Sequence, residues 1–177
     1  VNPKTFTKDI SKFNNDYICF NALHGTFGED GKIKKILRIK KFRVTHSNQT
    51  CSFNCFDKVK SKKIINKFKI LTPSYEVIKI KDIDLQFLNN LIQRLKKFVL
   101  KPVSSGSSHG LIIIKSKKDL NVFYERLKKF KNKFHRNERF IIEKYISRKE
   151  LTVSILEHKY ALKALAVTEI DSLRKSY

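Results

Sequence analysis

The ten residues Lys101-Pro102-Val103-Ser104-Ser105-Gly106-Ser107-Ser108-His109-Gly110 concentrate small hydroxyl residues, two glycines and a cation in one short run. Serine hydroxyls and loop amides donate hydrogen bonds to anionic oxygens, Gly106 and Gly110 let the backbone approach a ligand closely, and Lys101 adds positive charge. Phosphate is the ligand such chemistry suits. Apolar Phe98-Val99-Leu100 before the run and Leu111-Ile112-Ile113-Ile114 after it predict two buried strands, hence a hairpin. This is not a Walker A loop, in which the lysine follows the second glycine and opens a helix. The same composition also suits an ordinary surface turn, so the loop alone does not decide between the two.

The elements around the loop are read from periodicity. Tyr17 to Phe20 predicts a strand, Gly28-Glu29-Asp30-Gly31 opens a helix with Ile33, Ile36, Leu37 and Ile39 inward, and Phe42 to Thr45 predicts a second strand. Strand, helix and strand in so short a span form a βαβ unit with parallel pairing. Asn48 or Thr50 caps a long helix reaching about Phe68, with Cys51, Cys55, Val59 and Phe68 on related faces. A strand follows over Tyr75 to Ile80, an amphipathic helix between Lys81 and Lys97, then the hairpin and a helix over Lys118 to Phe130 with Leu120, Phe123, Leu127 and Phe130 inward. Strands at Phe140 to Ile146, Leu151 to Leu156 and Ala161 to Ile170 complete the series, with a turn near Glu157-His158-Lys159. The fold class is α/β (α+β).

Composition narrows the partners. The 177 residues are 41% hydrophobic, enough for a core. The charge of +23, from 39 basic and 16 acidic residues, attracts polyanions. Yet the basic residues lie in every segment, and lysine greatly outnumbers the arginine that reads bases bidentately, as an adenine- and thymine-rich coding sequence would produce. No specific nucleic-acid partner is expected. No apolar run approaches a membrane span, so neither a membrane partner nor a location other than the cytoplasm is expected. Three cysteines, Cys19, Cys51 and Cys55, do not make a disulfide scaffold, and Cys51 and Cys55 with His46 nearby lack a fourth zinc ligand of suitable spacing, so small buried thiols are the reading. Methionine is absent and residue 1 is Val, which reads as an internal fragment.

Three motifs now stand in order: His24-Gly25-Thr26-Phe27-Gly28-Glu29-Asp30-Gly31, then Lys101-Pro102 through Ser107-Ser108-His109-Gly110, then Glu143-Lys144-Tyr145-Ile146 followed by Glu150-Leu151-Thr152-Val153. Together with Thr45-His46-Ser47, Asp57-Lys58 through Ser61-Lys62, and Ala166 to Ile170, they resemble the D-alanine-D-alanine ligase family of the ATP-grasp fold. The resemblance runs from about Tyr17 to the end.

It implies the end of an amino-terminal Rossmann-like domain over residues 1–46, a central ATP-grasp subdomain over 47–142 and the start of a third subdomain over 143–177. It implies that Lys58 and Lys101 contact the nucleotide phosphates, and that Ser107, with Ser108 beside it, lies near the first D-alanine and the phosphates. Glu143, Lys144, Tyr145 and Ile146 would meet adenine, Glu150 the ribose, and His24 the first substrate's carboxylate. In a strand, Glu143 and Tyr145 would share a face. ATP, D-alanine, Mg2+ (or Mn2+) and a homodimer are the implied cofactors and partners. His109 and Ser105 depart from the family's usual Val and Glu. The family's glycine-rich segment with a catalytic Glu, its covering loop and its later Arg and magnesium ligands have no match here, and Arg174 to Tyr177 is where the covering loop would begin. The 177 residues alone are therefore expected to show no ligase turnover. Another ATP-grasp carboxylate-amine ligase and a basic nucleic-acid-binding module are the competing readings.

Overall fold

In Phe98 to Pro102 every second residue is buried, the mark of a strand whose two faces meet different surroundings. A computed structural model describes residues 2–130, 135, 137–147, 149–158 and 161–171, which divide into two compact units, Val1–Lys144 and Tyr145–Tyr177.

The first unit begins with helix α1 (Phe6–Ile10), which the periodicity did not predict. Strand β1 (Ile18–Cys19), helix α2 (Lys32–Ile39) and strand β2 (Arg43–Val44) follow, with β1 and β2 parallel as the βαβ reading requires. Phe6, Ile33, Leu37 and Phe42 form their core, and Phe27 meets Phe6 edge to face at 5.6 Å. Ile39, expected inward, is exposed because it lies past the face that Ile33 and Leu37 bury.

The expected long helix from Asn48 to Phe68 is two helices, α3 (Gln49–Phe56) and α4 (Lys58–Lys67). Asn48 caps α3 by accepting from the Cys51 amide at 2.8 Å. Asp57 breaks the run: its extended backbone bridges to Ser104, and its carboxylate accepts from the amides of Val59 and Lys60 at 3.0 Å each. Phe68 is exposed, and so are Cys51 and Cys55, correcting the expectation of buried thiols. Helix α3 buries none of its residues, so nothing draws those sulfurs inward.

A four-stranded sheet forms the rest, in the order β3 (Tyr75–Lys79), β6 (Arg139–Lys144), β4 (Phe98–Pro102), β5 (Ile112–Ile114), every pair antiparallel. Helices α5 (Leu85–Leu95) and α6 (Lys117–Phe130) pack Leu88, Leu91, Leu120, Phe123 and Leu127 against Phe98, Leu100, Phe140 and Ile142. The opposite face carries Val103 and Ile141 against Val59 of α4. The side chain of Phe130 lies outside the described residues.

The second unit is an antiparallel hairpin, β7 (Glu150–His158) with β8 (Ala161–Ile170). Strand β6 ends at Lys144, so Tyr145 and Ile146 do not continue it and Glu143 and Tyr145 do not share a strand face. Lys159 of the expected turn and Arg174 to Tyr177 lie outside the described residues. Among the described residues no helix is long and apolar enough to cross a membrane.

Gly31 caps α2 with φ +84°, and a Cβ there would stand 2.6 Å from the Gln49 carbonyl oxygen. The left-handed backbone and the fixed neighbour act together, so Gly31→Ala is expected to cost about 2 kcal/mol of stability in a denaturant titration.

Candidate functional site

The face of the sheet that α4 covers is where charge is buried. In the β4–β6 register Lys101 stands opposite Ile141, so Glu143, two residues on, is its diagonal neighbour on the same face. Its carboxylate receives Lys101 Nζ at 2.5 Å on one oxygen and Lys62 Nζ at 2.6 Å on the other. Lys62 comes from α4 and is itself buried, with its ammonium also donating to Thr72 Oγ1 at 2.5 Å and to the Pro73 carbonyl at 2.9 Å. Its four-carbon stem passes Tyr75, whose ring centroid is 5.4 Å from Nζ.

Burial pushes the Glu143 carboxyl up, while hydrogen bonds and charge from Lys101 and Lys62 pull it down by more, leaving it below the usual carboxylate range. A carboxyl held lower in the folded than in the unfolded chain contributes stability above its unfolded value and loses it as pH falls through its folded value. The stability gap between the wild type and Glu143→Gln should therefore be full near neutral pH and close on acidification below the carboxylate range. Urea melts of both proteins at stepped pH check this.

Lys58, one helical turn before Lys62, reaches the other way. Its Nζ donates to the Ser105 carbonyl at 2.8 Å and its amide donates to the Val103 carbonyl at 3.0 Å, tying the start of α4 to the hairpin. Burial first, and the Lys101 charge second, pull the Lys58 ammonium below its ordinary value. Asp57 holds this junction from beneath, accepting from Arg139 at 3.1 Å.

The loop beyond Lys101 is closed by its own bonds. Ser105 Oγ donates to the His109 carbonyl at 2.8 Å, and the His109 amide donates to the Gly106 carbonyl at 3.1 Å. Ser107 and Ser108 are exposed and both take left-handed backbone angles, φ 50° and 55°, a conformation that costs energy outside glycine and is found where structure over-determines it.

Gly106 meets the first motif. A Cβ on it would lie 2.4 Å from Glu29 Oε2, which accepts from the Gly25 amide at 2.6 Å. Gly106→Ala is expected to displace the Glu29 carboxylate and lose that bond, lowering stability by about 1 kcal/mol. Chemical-shift changes at Gly25 would report the displacement. His24 is 81% exposed, its Nδ1 3.9 Å from Glu29 Oε1. Between these loops lies a cavity of about 520 Å³ whose lining includes His24, Glu29, His46, Lys58, Ser105 and Gly106.

The first unit thus brings Lys101 to Glu143, Lys58 to the hairpin loop, and Lys58 and His24 to the cavity, whose lining does not include Lys101, Glu143, Ser107 or Ser108. Lys144 is exposed at the end of β6. Tyr145, Ile146 and Glu150 belong to the second unit, where Ile146 and Glu150 are exposed. Sequence reading placed Lys62, Asp57 and Glu29 within its motifs but gave none of them a site role. The i, i+4 spacing of Lys58 and Lys62 behind an Asp cap is the available signal for the first two. Lysine ammonium groups beside a glycine and serine loop whose Ser107 and Ser108 are exposed suit a polyphosphate.

Comparison with known proteins decides the family. Residues 64–177 match the family model described as the D-ala D-ala ligase C-terminus. The chain belongs to the D-alanine-D-alanine ligase family. It is 40% identical over 176 residues to the D-alanine--D-alanine ligase of Pelagibacter ubique, covering 98% of this chain and 53% of that protein. With the ligase of Thermotoga petrophila the identity is 31%, covering 97% and 52%. The chain spans about half the length of the curated relatives it matches. Among solved structures, the Bacillus anthracis D-alanine--D-alanine ligase complexed with ATP superposes with a TM-score of 0.70 at 27% identity, covering 96% of this chain and 53% of that one. D-alanyl-alanine synthetase A from Vibrio cholerae, at 19% identity and a TM-score of 0.73, shares the fold, covering 89% and 46%. The mixed helix and strand architecture is that of the family's ATP-grasp structures.

Proposed function

We propose that this chain carries the nucleotide-gripping part of an ATP-dependent ligase that joins two D-alanines for peptidoglycan synthesis in the cytoplasm. The observation that carries the reading is that Lys101 pairs with the buried Glu143 carboxylate while Lys58, close enough to feel the Lys101 charge, holds the Ser105 carbonyl of the glycine and serine loop, in a chain of this family. Residues 1–46 are assigned to the amino-terminal domain, 47–142 to the central subdomain and 143–177 to the start of the third.

Lys58 and Lys101 hold the ATP phosphates, Ser107 and Ser108 orient the γ-phosphate and the first D-alanine, and His24 faces that substrate's carboxylate. Glu143, Lys144, Tyr145 and Ile146 meet adenine, and Glu150 meets the ribose. One carboxylate oxygen of the first D-alanine attacks the γ-phosphorus and ADP leaves, giving an acyl phosphate. The amine of the second D-alanine then attacks the acyl carbon, loses a proton and expels phosphate. The work of the chain is positioning and charge neutralisation.

Lys101 begins in an ion pair with Glu143. Taking up the phosphates means exchanging that partner, while Lys62 remains to neutralise the carboxylate as it turns to the base. Mg2+ (or Mn2+) neutralises phosphate charge in such reactions. Among the described residues no three His, Cys, Asp or Glu side chains gather where an ion would bind, so these residues do not fit the metal and no step is derived through it. A homodimer is the assembly proposed.

The test is product analysis with the polypeptide of the complete reading frame. D-alanine-dependent release of ADP and phosphate with D-alanyl-D-alanine is the expected result. ADP release that requires a different carboxylate or amine would replace the reading with another carboxylate-amine ligase. Sequence-selective nucleic-acid binding without any nucleotide effect would replace it altogether.

A further inference from the structure

Two thiols line the cavity that His24 and Lys58 also line. Cys51 and Cys55 both face it, both are exposed, and neither is in a disulfide. They stand i, i+4 on α3, which Asn48 caps, so they share one face of the helix. That spacing leaves about 5–6 Å between Cβ atoms in a regular helix, whereas a disulfide needs about 3.5–4.5 Å, so direct oxidation would have to distort the helix. One bridging atom closes the gap without moving the backbone. Tetrahedral zinc would need further ligands, and no third His, Cys, Asp or Glu side chain joins the pair among the described residues. A soft centre that takes two sulfurs and keeps one organic substituent meets the geometry and has the cavity for that substituent.

We propose that Cys51 and Cys55 form a bidentate site for trivalent monoorganoarsenicals, with the organic group seated in the cavity. The ligase reading gives neither thiol a role, although His24 and Lys58 line the same cavity. With phenylarsine oxide, two As–S bonds form and the As–O bonds break. The oxide oxygen leaves as water with the two thiol protons, arsenic stays trivalent and neither sulfur changes oxidation level. Burial, and then the Cys51 neighbour, push the Cys55 thiol up.

The test uses the full 177-residue chain and phenylarsine oxide. One adduct per chain is expected by intact mass, with two of the three thiols lost to thiol titration, and it should be reversed by a dithiol but not by an equal concentration of glutathione thiol. Closing the second bond within one molecule is worth about 100-fold or more in retention, so Cys51→Ser and Cys55→Ser should each lose the adduct about 100-fold more readily. Cys19→Ser should leave it unchanged. Both substitutions sit on an exposed helix face, and far-ultraviolet circular dichroism verifies that each variant folds. Equal retention by either single variant, or loss of the adduct in Cys19→Ser, would overturn the proposal.

Discussion

Glu143→Ala should lower the unfolding free energy by about 3–5 kcal/mol, the cost of leaving one partner of a buried ion pair uncompensated. The carboxylate and the Lys62 ammonium are both buried, at 7% and 9% side-chain exposure, so water cannot replace the lost charge. The Lys62 hydrogen bonds to Thr72 and Pro73 satisfy protons but supply no negative charge. Lys101, more exposed at 27%, can turn to solvent and contributes less to the loss. A second substitution separates charge from packing: Lys62→Met in the Glu143→Ala background should restore part of the stability, because it removes the stranded cation and keeps the apolar stem. Urea midpoints of the wild type, both single variants and the double variant form the cycle that measures this coupling. A double variant no more stable than Glu143→Ala would show that the pair is not what holds this face together.

The second large effect concerns binding. Lys58→Ala with Lys101→Ala should weaken ATP binding by at least about 100-fold, since hydrogen bonds to charged groups are worth about 1.5–3 kcal/mol each and two are lost. In a chain of +23, loose attraction of any polyanion must be separated from a built site. Equilibrium dialysis at raised salt does so, because exposed charges are screened while a partly buried pair is screened less. Inorganic triphosphate serves as the competitor that has the charge without the base. A double variant that binds ATP as the wild type does would remove both lysines from the site.

Local patterns in the sequence reported the elements well, and long-range pairing is where they stopped. The strands around the hairpin, the helices α2, α5 and α6 and the parallel β1–β2 pair follow from apolar spacing that burial enforces. The break at Asp57 was hidden because the apolar period runs on past it, while the bridge to Ser104, the Lys58 amide bond to Val103 and the Asp57 cap on α4 make the chain turn there. The two exposed cysteines defied expectation because free cysteines are usually buried, while α3 has no core of its own to cover them. For the site, the motifs marked Lys101 and Glu143 separately. That Glu143 binds Lys101 and Lys62 at once depends on a diagonal register and a helix laid across the sheet, neither of which a single sequence displays. Glu29 likewise gained its place against Gly106 only when two distant loops met.

The central claim, that Lys58 and Lys101 face the phosphates of ATP, is tested most directly by an acyl-phosphate derivative of ATP. This reagent transfers its acyl group to lysines beside the phosphate chain, and peptide mass spectrometry then locates the label. Labelling is expected at Lys58 or Lys101 ahead of every other lysine, suppressed by excess ATP and not by an equal concentration of inorganic phosphate. Label spread over the surface lysines, without protection by ATP, would contradict it.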